Sequence, residues 1–350
     1  MSEKLLIRGN DALAESAIRA GCRYYFGYPI TPQNEVPEYM SRRLPEVGGV
    51  YVQAESELAA INMVFGAGAT GVRVMTSSSS PGISLMQEGI SYIAGAETPA
   101  VLVNMMRGGP GLGNIAASQA DYFQSVKGGG HGDYKIITIA PSTVQELINL
   151  TVEAFDLTMK YRTPVMILGD AVLGQMSEAV VLPEMREVNN DETDWAICNG
   201  GDQKIIRSLY LVPENRLETH NIHLQEKYSK IKREYFKSEE YMMDDAEYMI
   251  ASYGTTARVC KQAIQILREK GIKIGLFRPI SLWPFPEDAL KKASKDIKKI
   301  FVIEMAHAQF EEDVKLYTEC KLPVKGFYKL GGAIFNELEI VDSIMSSLKE

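Results

Sequence analysis

Two glutamates, an arginine and a threonine are placed where their side chains could meet a ligand. Gln53-Ala54-Glu55-Ser56-Glu57 sets two carboxylates at the junction between a strand-like run and a helix-like one. A glutamate in a first helical turn ordinarily only balances the helix dipole. The helix that follows, Leu58–Ala69, is small and apolar almost all round, so it is predicted to be buried. A carboxylate leading a buried helix is either paired or functional. Arg107 follows the apolar run Ala100–Met106 and opens Gly108-Gly109-Pro110-Gly111-Leu112-Gly113. Such a loop lets backbone and guanidinium approach a ligand, and arginine suits a planar carboxylate gripped through two N–H groups. The plainer alternative is a surface arginine beside a turn. Thr31, in Tyr28-Pro29-Ile30-Thr31-Pro32, ends the first strand in a proline-bracketed turn. Ligands of open α/β sheets bind outside the carboxyl ends of strands, although a threonine hydroxyl there can equally bond its own backbone. Lys127–His131 is a second glycine-rich loop, whose lone His131 reads as structural.

These positions must be held by a regular scaffold, and the pattern supplies one. Strand-like runs fall at Tyr24–Tyr28, Val50–Val52, Val72–Thr76, Ala100–Met105, Ile136–Ile139 and Pro164–Leu168, with helical stretches between them at Ser56–Ala69, Gly82–Ala94, Ala117–Val126 and Val144–Tyr161. Strands apolar on both faces that alternate with helices predict an α/β protein with a mostly parallel sheet covered by helices. Residues 184–245 break that rhythm with Asn189-Asn190-Asp191-Glu192 and a charged stretch, predicting a linker that carries one exposed helix near Leu224–Tyr241. A second α/β unit is predicted beyond it. Its strands are Glu247–Tyr253, Lys273–Arg278 and Lys299–Glu304, and its helices are Thr255–Lys270, Pro286–Ser294 and Glu337–Leu348.

Composition narrows the function. The 350 residues are 45% hydrophobic and 23% charged, with a net charge of −8, and no basic block offers a surface for nucleic acid or anionic lipid. No apolar run reaches the roughly 18–20 residues of a membrane span, and the N-terminus shows no apolar leader, so a cytoplasmic protein is expected. The four cysteines, Cys22, Cys198, Cys260 and Cys320, lie far apart without a C-x-x-C pair, so no metal site and no iron–sulfur cluster is expected in this chain. Gly66-Ala67-Gly68-Ala69-Thr70-Gly71 matches G-x-G-x-x-G, but a helix precedes it and a strand follows, the reverse of a dinucleotide fingerprint. A packed helix end is the better reading, and a nicotinamide-dependent dehydrogenase the weaker one.

Four segments taken together resemble the α-type subunit of 2-oxoacid:ferredoxin oxidoreductases: Gly27–Pro32, Gln53–Glu57, Thr76–Gly82 and Arg107–Gly113. Phe277–Pro286 and Ile303-Glu304-Met305 fit that family's second domain, so the resemblance covers nearly the whole chain. Ser77–Ser84 and Gly128–Tyr134 make it most similar to branched-chain members that act on 3-methyl-2-oxobutanoate (2-ketoisovalerate).

The resemblance implies a thiamine diphosphate pyrimidine-binding domain over residues 1–183, the charged linker over 184–245, and a transketolase-C-like α/β domain over 246–350. Thiamine diphosphate would be shared with a β subunit that holds the diphosphate and Mg²⁺. Glu57 would hydrogen-bond N1′ of the aminopyrimidine and so favour the tautomer that activates the thiazolium carbon, with Pro29 and Ile30 beside the cofactor. Thr31 and Arg107 would contact the keto and carboxylate groups of the 2-oxo acid. Alignment on Ser56-Glu57-x-x-Ala60 favours Glu57 over Glu55 for the cofactor contact. Iron–sulfur clusters would sit in ferredoxin-like and γ-type subunits, with coenzyme A taking the acyl group and ferredoxin the electrons. Gly169-Asp170-Ala171 followed by Asn189-Asn190 approaches a G-D-G…N Mg²⁺-diphosphate signature but lacks its third glycine, so a strand-end turn is expected there. The same reaction on 2-oxoglutarate or pyruvate, and a non-catalytic scaffold subunit, are the alternative readings.

Overall fold

Ala100–Met106 and Pro164–Asp170 bury every residue along their length, as runs apolar on both faces require. They lie parallel and in register from Ala100 opposite Pro164 to Met106 opposite Asp170. The computed structural model in which they are seen describes residues 4–188, 195–197, 209–211 and 215–349. Among these, seven strands form the first sheet in the order Ser281–Trp283, Ile137–Ile139, Pro164–Asp170, Ala100–Met106, Val74–Ser78, Tyr24–Gly27 and Val50–Gln53. Every pairing is parallel except the first, in which Ser281–Trp283 returns from the C-terminal part of the chain to lie antiparallel on Ile137–Ile139. Five strands form a second sheet in the order Val324–Tyr328, Lys299–Glu304, Tyr248–Ala251, Ile274–Pro279 and Ser238–Tyr241, parallel but for the last. The protein is therefore α/β with mostly parallel sheets, as the alternation of elements predicts. Among the described residues no helix is long and apolar enough to cross a membrane.

Three elements depart from expectation. The helix placed near Leu224–Tyr241 runs instead over Arg216–Glu234 and buries Leu224, Tyr228 and Ile231. Its Tyr228 ring stands edge-on to Trp283 at 5.7 Å, so the stretch is packed on the first sheet by an apolar stripe that the surrounding charges obscure. Ser238–Tyr241 is the edge strand of the second sheet. Only Tyr122–Val126 of the predicted helix Ala117–Val126 is helical. Residues 117–121 run irregularly because their polar groups are drawn to the second sheet, where the buried Gln119 side chain bonds the Tyr253 carbonyl, the Thr256 hydroxyl and the Met305 amide at 2.8–3.0 Å. Asn189-Asn190 and Cys198 lie outside the described residues.

The two sheets are joined by buried polar pairs as well as by apolar packing. Tyr122, Tyr253 and Phe310 close a ring cluster at 5.3–5.7 Å. Asp170 caps helix Ala171–Gln175 through the amides of Val172 and Leu173 and accepts from the Thr255 hydroxyl. Burial raises its carboxyl pKa, opposed by those hydrogen bonds. The Gly169-Asp170-Ala171 turn is thus a strand-to-helix cap, its carboxylate taken up inside the chain.

Candidate functional site

The carboxyl ends of the parallel strands Tyr24–Gly27, Val50–Gln53, Val74–Ser78 and Ala100–Met106 lead into the segments that carry the polar residues singled out in the sequence. Val50–Gln53 leads into helix Glu57–Ala69, whose N-cap Ser56 accepts the Ala59 amide at 3.2 Å. Capping fixes the start of the helix, and with it the two carboxylates part company: Glu55 is exposed and Glu57 is 5% exposed. Among the described residues neither lysine nor arginine pairs with Glu57, and its polar contact is the Ser78 hydroxyl at 3.5 Å. The approach is close because position 82 is glycine: a Cβ there would stand 2.4 Å from Glu57 Oε1 and 2.0 Å from Ser78 Oγ.

The helix behind Glu57 is not buried all round. Glu57, Ala60, Ile61, Val64 and Gly68 face the sheet, while Leu58 is 48% exposed. On the neighbouring helix Ser80–Gly95, Leu85 and Tyr92 are 57% and 40% exposed. The chain covers one face of each helix and leaves large apolar side chains, Leu58, Leu85 and Tyr92, on the open one.

Arg107 is buried, against the alternative of a surface residue, at 6% exposure. Its Nη1 donates to the Thr31 carbonyl at 2.9 Å and its Nη2 to the Leu112 carbonyl at 3.1 Å. Nη groups satisfied in this way leave Nε–H, which is buried without a partner. The loop that follows folds back on itself: Gly113 takes a φ of +60°, and the Asn114 amide donates to the Gly108 carbonyl at 2.9 Å. The Thr31 hydroxyl accepts from the Asn34 side chain at 3.1 Å, on a turn where Pro29 is exposed and Ile30 half-buried.

One strand-to-helix junction joins the two halves of this site. Ser78 touches Glu57, and two residues on, the Ser80 hydroxyl accepts the Arg107 amide at 3.0 Å. Ser80 Oγ also donates to Asp121 at 2.6 Å, and Asn104 Nδ2 donates to the same Asp121 oxygen at 2.9 Å. Burial raises the Asp121 carboxyl above its ordinary range, opposed by these two donors. Sequence reasoning did not single out Ser78, Gly82, Asn104 or Asp121. The serine run was visible, but Asp121 lay inside a predicted helix and bore no signal of its own. His131 is exposed, outside this arrangement.

Glu57 and Arg107 thus stand buried at the carboxyl edge of a parallel sheet, the edge at which open α/β folds bind their ligands. Residues 15–249 match the family model for pyruvate flavodoxin/ferredoxin oxidoreductase, thiamine diphosphate-binding, and residues 246–340 match pyruvate:ferredoxin oxidoreductase core domain II. The chain belongs to this family of 2-oxoacid:ferredoxin oxidoreductases, as an oxidoreductase subunit with the thiamine diphosphate-binding fold. It is 47% identical to the ketoisovalerate oxidoreductase subunit VorB of Methanothermobacter thermautotrophicus over 97% of this chain and 96% of that one. It is 38% identical to the 2-oxoglutarate synthase subunit KorA of Archaeoglobus fulgidus over 97% and 99%. Among solved structures it is similar to 2-oxoglutarate:ferredoxin oxidoreductase from Magnetococcus marinus, with TM-score 0.88, 27% identity, and 99% of this chain matched to 66% of that one.

Proposed function

We propose that this chain is the pyrimidine-side subunit of an enzyme that oxidatively decarboxylates a branched-chain 2-oxo acid, 3-methyl-2-oxobutanoate, to its acyl-CoA, with the electrons passed to ferredoxin. The observation that carries the site reading is the Nε–H of Arg107, buried, unpartnered and fixed in a guanidinium already oriented by the Thr31 and Leu112 carbonyls. Leaving a buried donor empty is costly, and a substrate carboxylate would satisfy it with a charge-assisted bond. The choice of oxo acid follows the higher similarity to ketoisovalerate subunits, 47% against 38% for the 2-oxoglutarate synthase subunit.

Thiamine diphosphate fits the residues present. Glu57 is a buried carboxylate with which, among the described residues, no lysine or arginine pairs, and it lies close against helix Ser80–Gly95 because Gly82 has no side chain. Such an acceptor suits a protonated ring nitrogen. When bound, the cofactor supplies the carbanion chemistry of decarboxylation. Glu57 holds a proton at the pyrimidine nitrogen, with Pro29 and Ile30 as the neighbouring wall. Arg107 and Thr31 orient the oxo acid by its carboxylate and keto groups. A β subunit would hold the diphosphate and Mg²⁺, and ferredoxin-like and γ-type subunits the iron–sulfur clusters. Partner subunits are also supported by Leu58, Leu85 and Tyr92 on helices Glu57–Ala69 and Ser80–Gly95, large apolar side chains that a chain working alone would expose to water. With such partners the complex would be a cytoplasmic enzyme.

The test is CoA-dependent viologen reduction by the complex co-expressed with its partner subunits, run on 3-methyl-2-oxobutanoate, 2-oxoglutarate and pyruvate. Turnover led by 3-methyl-2-oxobutanoate is expected. A lead for 2-oxoglutarate or pyruvate would overturn the substrate, and no turnover on any would overturn the function.

A further inference from the structure

Asp121 has a carboxylate that the reaction does not call for. It is half-buried, and among the described residues no cation pairs with it. Its acceptor oxygen is occupied by two neutral donors, the Ser80 hydroxyl and the Asn104 amide. A carboxylate drawn partly out of water without a cation is costly, and two neutral hydrogen bonds offset only part of that cost. Both donors sit next to Arg107. Ser80 Oγ accepts the Arg107 backbone amide at 3.0 Å and lies 3.3 Å from its carbonyl. Asn104 stands three residues before Arg107, on the strand that leads into it, and its Oδ1 accepts the Ser80 amide at 3.1 Å. Asp121 is fixed in turn from the other sheet. Two residues earlier, Gln119 donates its backbone amide to the Met305 carbonyl at 2.9 Å, and its side chain is bonded to Tyr253, Thr256 and Met305. Ala117, in the same segment, pairs as an antiparallel bridge with Arg107 itself.

We propose that Asp121 is a positioning residue: through Ser80 and Asn104 it fixes the backbone of Arg107 against the second sheet, and so sets the guanidinium at the angle the substrate carboxylate needs. The inference rests on Arg107 being the carboxylate grip. Its physical content is that a guanidinium at the end of a long side chain keeps its bearing only if its own backbone is held, since a displacement of about 1 Å in a positioning group can cost on the order of 100-fold in rate. The strand ends there, and beyond it the backbone is held by the bridge to Ala117 and by the Gly108 amide on the Ala116 carbonyl at 2.9 Å. The Asp121–Ser80 bond adds a hold on the Arg107 amide itself.

Asp121→Ala, Asp121→Asn and Ser80→Ala are made in the assembled complex and assayed for KM and kcat on the oxo acid, with thermal midpoints. Loss of the acceptor in Asp121→Ala is expected to raise KM by about 10-fold or more while kcat falls less, and Asp121→Asn, whose amide oxygen can accept both donors, restores KM to within about 3-fold. Ser80→Ala removes the middle link and raises KM in the same direction. The double variant Ser80→Ala/Asp121→Ala is no worse than the poorer single one, because both act through one bond. An unchanged KM in Asp121→Ala or Ser80→Ala, or loss of melting midpoint and kcat with KM constant, would overturn the inference. If Asp121→Ala fails to assemble, Ser80→Ala decides on its own. Arg107→Ala run alongside separates the two readings: unchanged KM there removes the carboxylate grip itself, whereas a raised KM there with wild-type values for Asp121→Ala and Ser80→Ala removes only the positioning role.

Discussion

The guanidinium of Arg107 is held by the carbonyl of Thr31, 76 positions earlier in the chain, at 2.9 Å. With the second bond to Leu112, the arginine ties the proline-bracketed turn after the first strand to its own glycine-rich loop. Only a planar fork can span two carbonyls and still present Nε–H. Arg107→Lys is therefore expected to behave like Arg107→Ala. Steady-state assays on the assembled complex should show KM for the oxo acid raised about 10- to 100-fold in both, the range that one or two hydrogen bonds to a charged group imply. A lysine variant with wild-type KM would mean that charge alone suffices.

Burial separates Glu57 from Glu55 as sequence spacing could not. Glu57→Gln keeps the size of the side chain and removes the carboxylate, so turnover should fall at least about 100-fold if that carboxylate holds the pyrimidine proton. Glu55→Gln, on an exposed side chain, should stay close to wild type. Reversal of the two results would move the role to Glu55.

Gly82→Ala adds one methyl group where it would meet Glu57 Oε1 at 2.4 Å. Alanine is the better helix former by about 1 kcal/mol, so no large loss of helix stability is expected. The strain falls on the carboxylate instead. Thiamine diphosphate affinity, read by titration of the assembled complex, should drop by about 10-fold or more, in line with the roughly 1–3 kcal/mol that overpacking costs. A melting midpoint that falls while cofactor affinity holds would show the methyl displacing the helix instead.

The sheet order beyond simple alternation, and half of the site, could not be read ahead of the structure. Apolar runs such as Ala100–Met105 and Pro164–Leu168 announce parallel buried strands because every residue must face a helix. Glu57, Thr31 and Arg107 were visible because glycine, proline or a change of periodicity surrounds each. The helix Arg216–Glu234 escaped because three buried residues, Leu224, Tyr228 and Ile231, are spread among many charges and their spacing is lost in the composition. Ser281–Trp283 escaped because a three-residue strand paired with one more than 140 positions earlier leaves no local trace. Asp121 and Asn104 are ordinary polar residues locally, and their meaning comes only from the partners folding brings.

Glu304 gives the fold a pH dependence of definite sign. Burial raises its carboxyl from an ordinary value of 4.5 to about 7, although it accepts the Phe310 and Glu311 amides at 3.0 and 3.2 Å at the start of helix Gln309–Tyr317. A group with a raised folded-state pKa contributes stability that is present in full below about pH 4.5 and is lost as pH rises through 7. The contribution at stake is about 3 kcal/mol. Glu304→Gln cannot ionise, though it gives up one amide bond worth about 1 kcal/mol. Melting curves from pH 5 to 8 should show the variant gaining on wild type as pH rises, and a constant difference would mean that Glu304 keeps an ordinary pKa.

Arg278 joins the two sheets through charge. It is 3% exposed. Nη1 and Nη2 grip Glu146 of helix Val144–Tyr161 at 2.9 and 2.7 Å, and Nε donates to Glu239 of the edge strand Ser238–Tyr241 at 2.7 Å. Three donors pointing at two carboxylates need a fork geometry that lysine lacks. Removing the cation strands Glu146, which also holds the Ser142 amide and hydroxyl, while Glu239 keeps its ion pair with Lys261. Arg278→Ala should therefore destabilise by about 3–5 kcal/mol, as breaking a buried pair from one side does. Arg278→Lys should recover less than half of that loss. Replacing Arg278 and Glu146 together, Arg278→Met with Glu146→Gln, should be milder than Arg278→Ala alone, because Glu239 keeps Lys261 and neither member of the lost pair leaves a charge behind. Urea midpoints of the four proteins give the order. A double variant weaker than the single one would mean that the ion network is worth more than its desolvation.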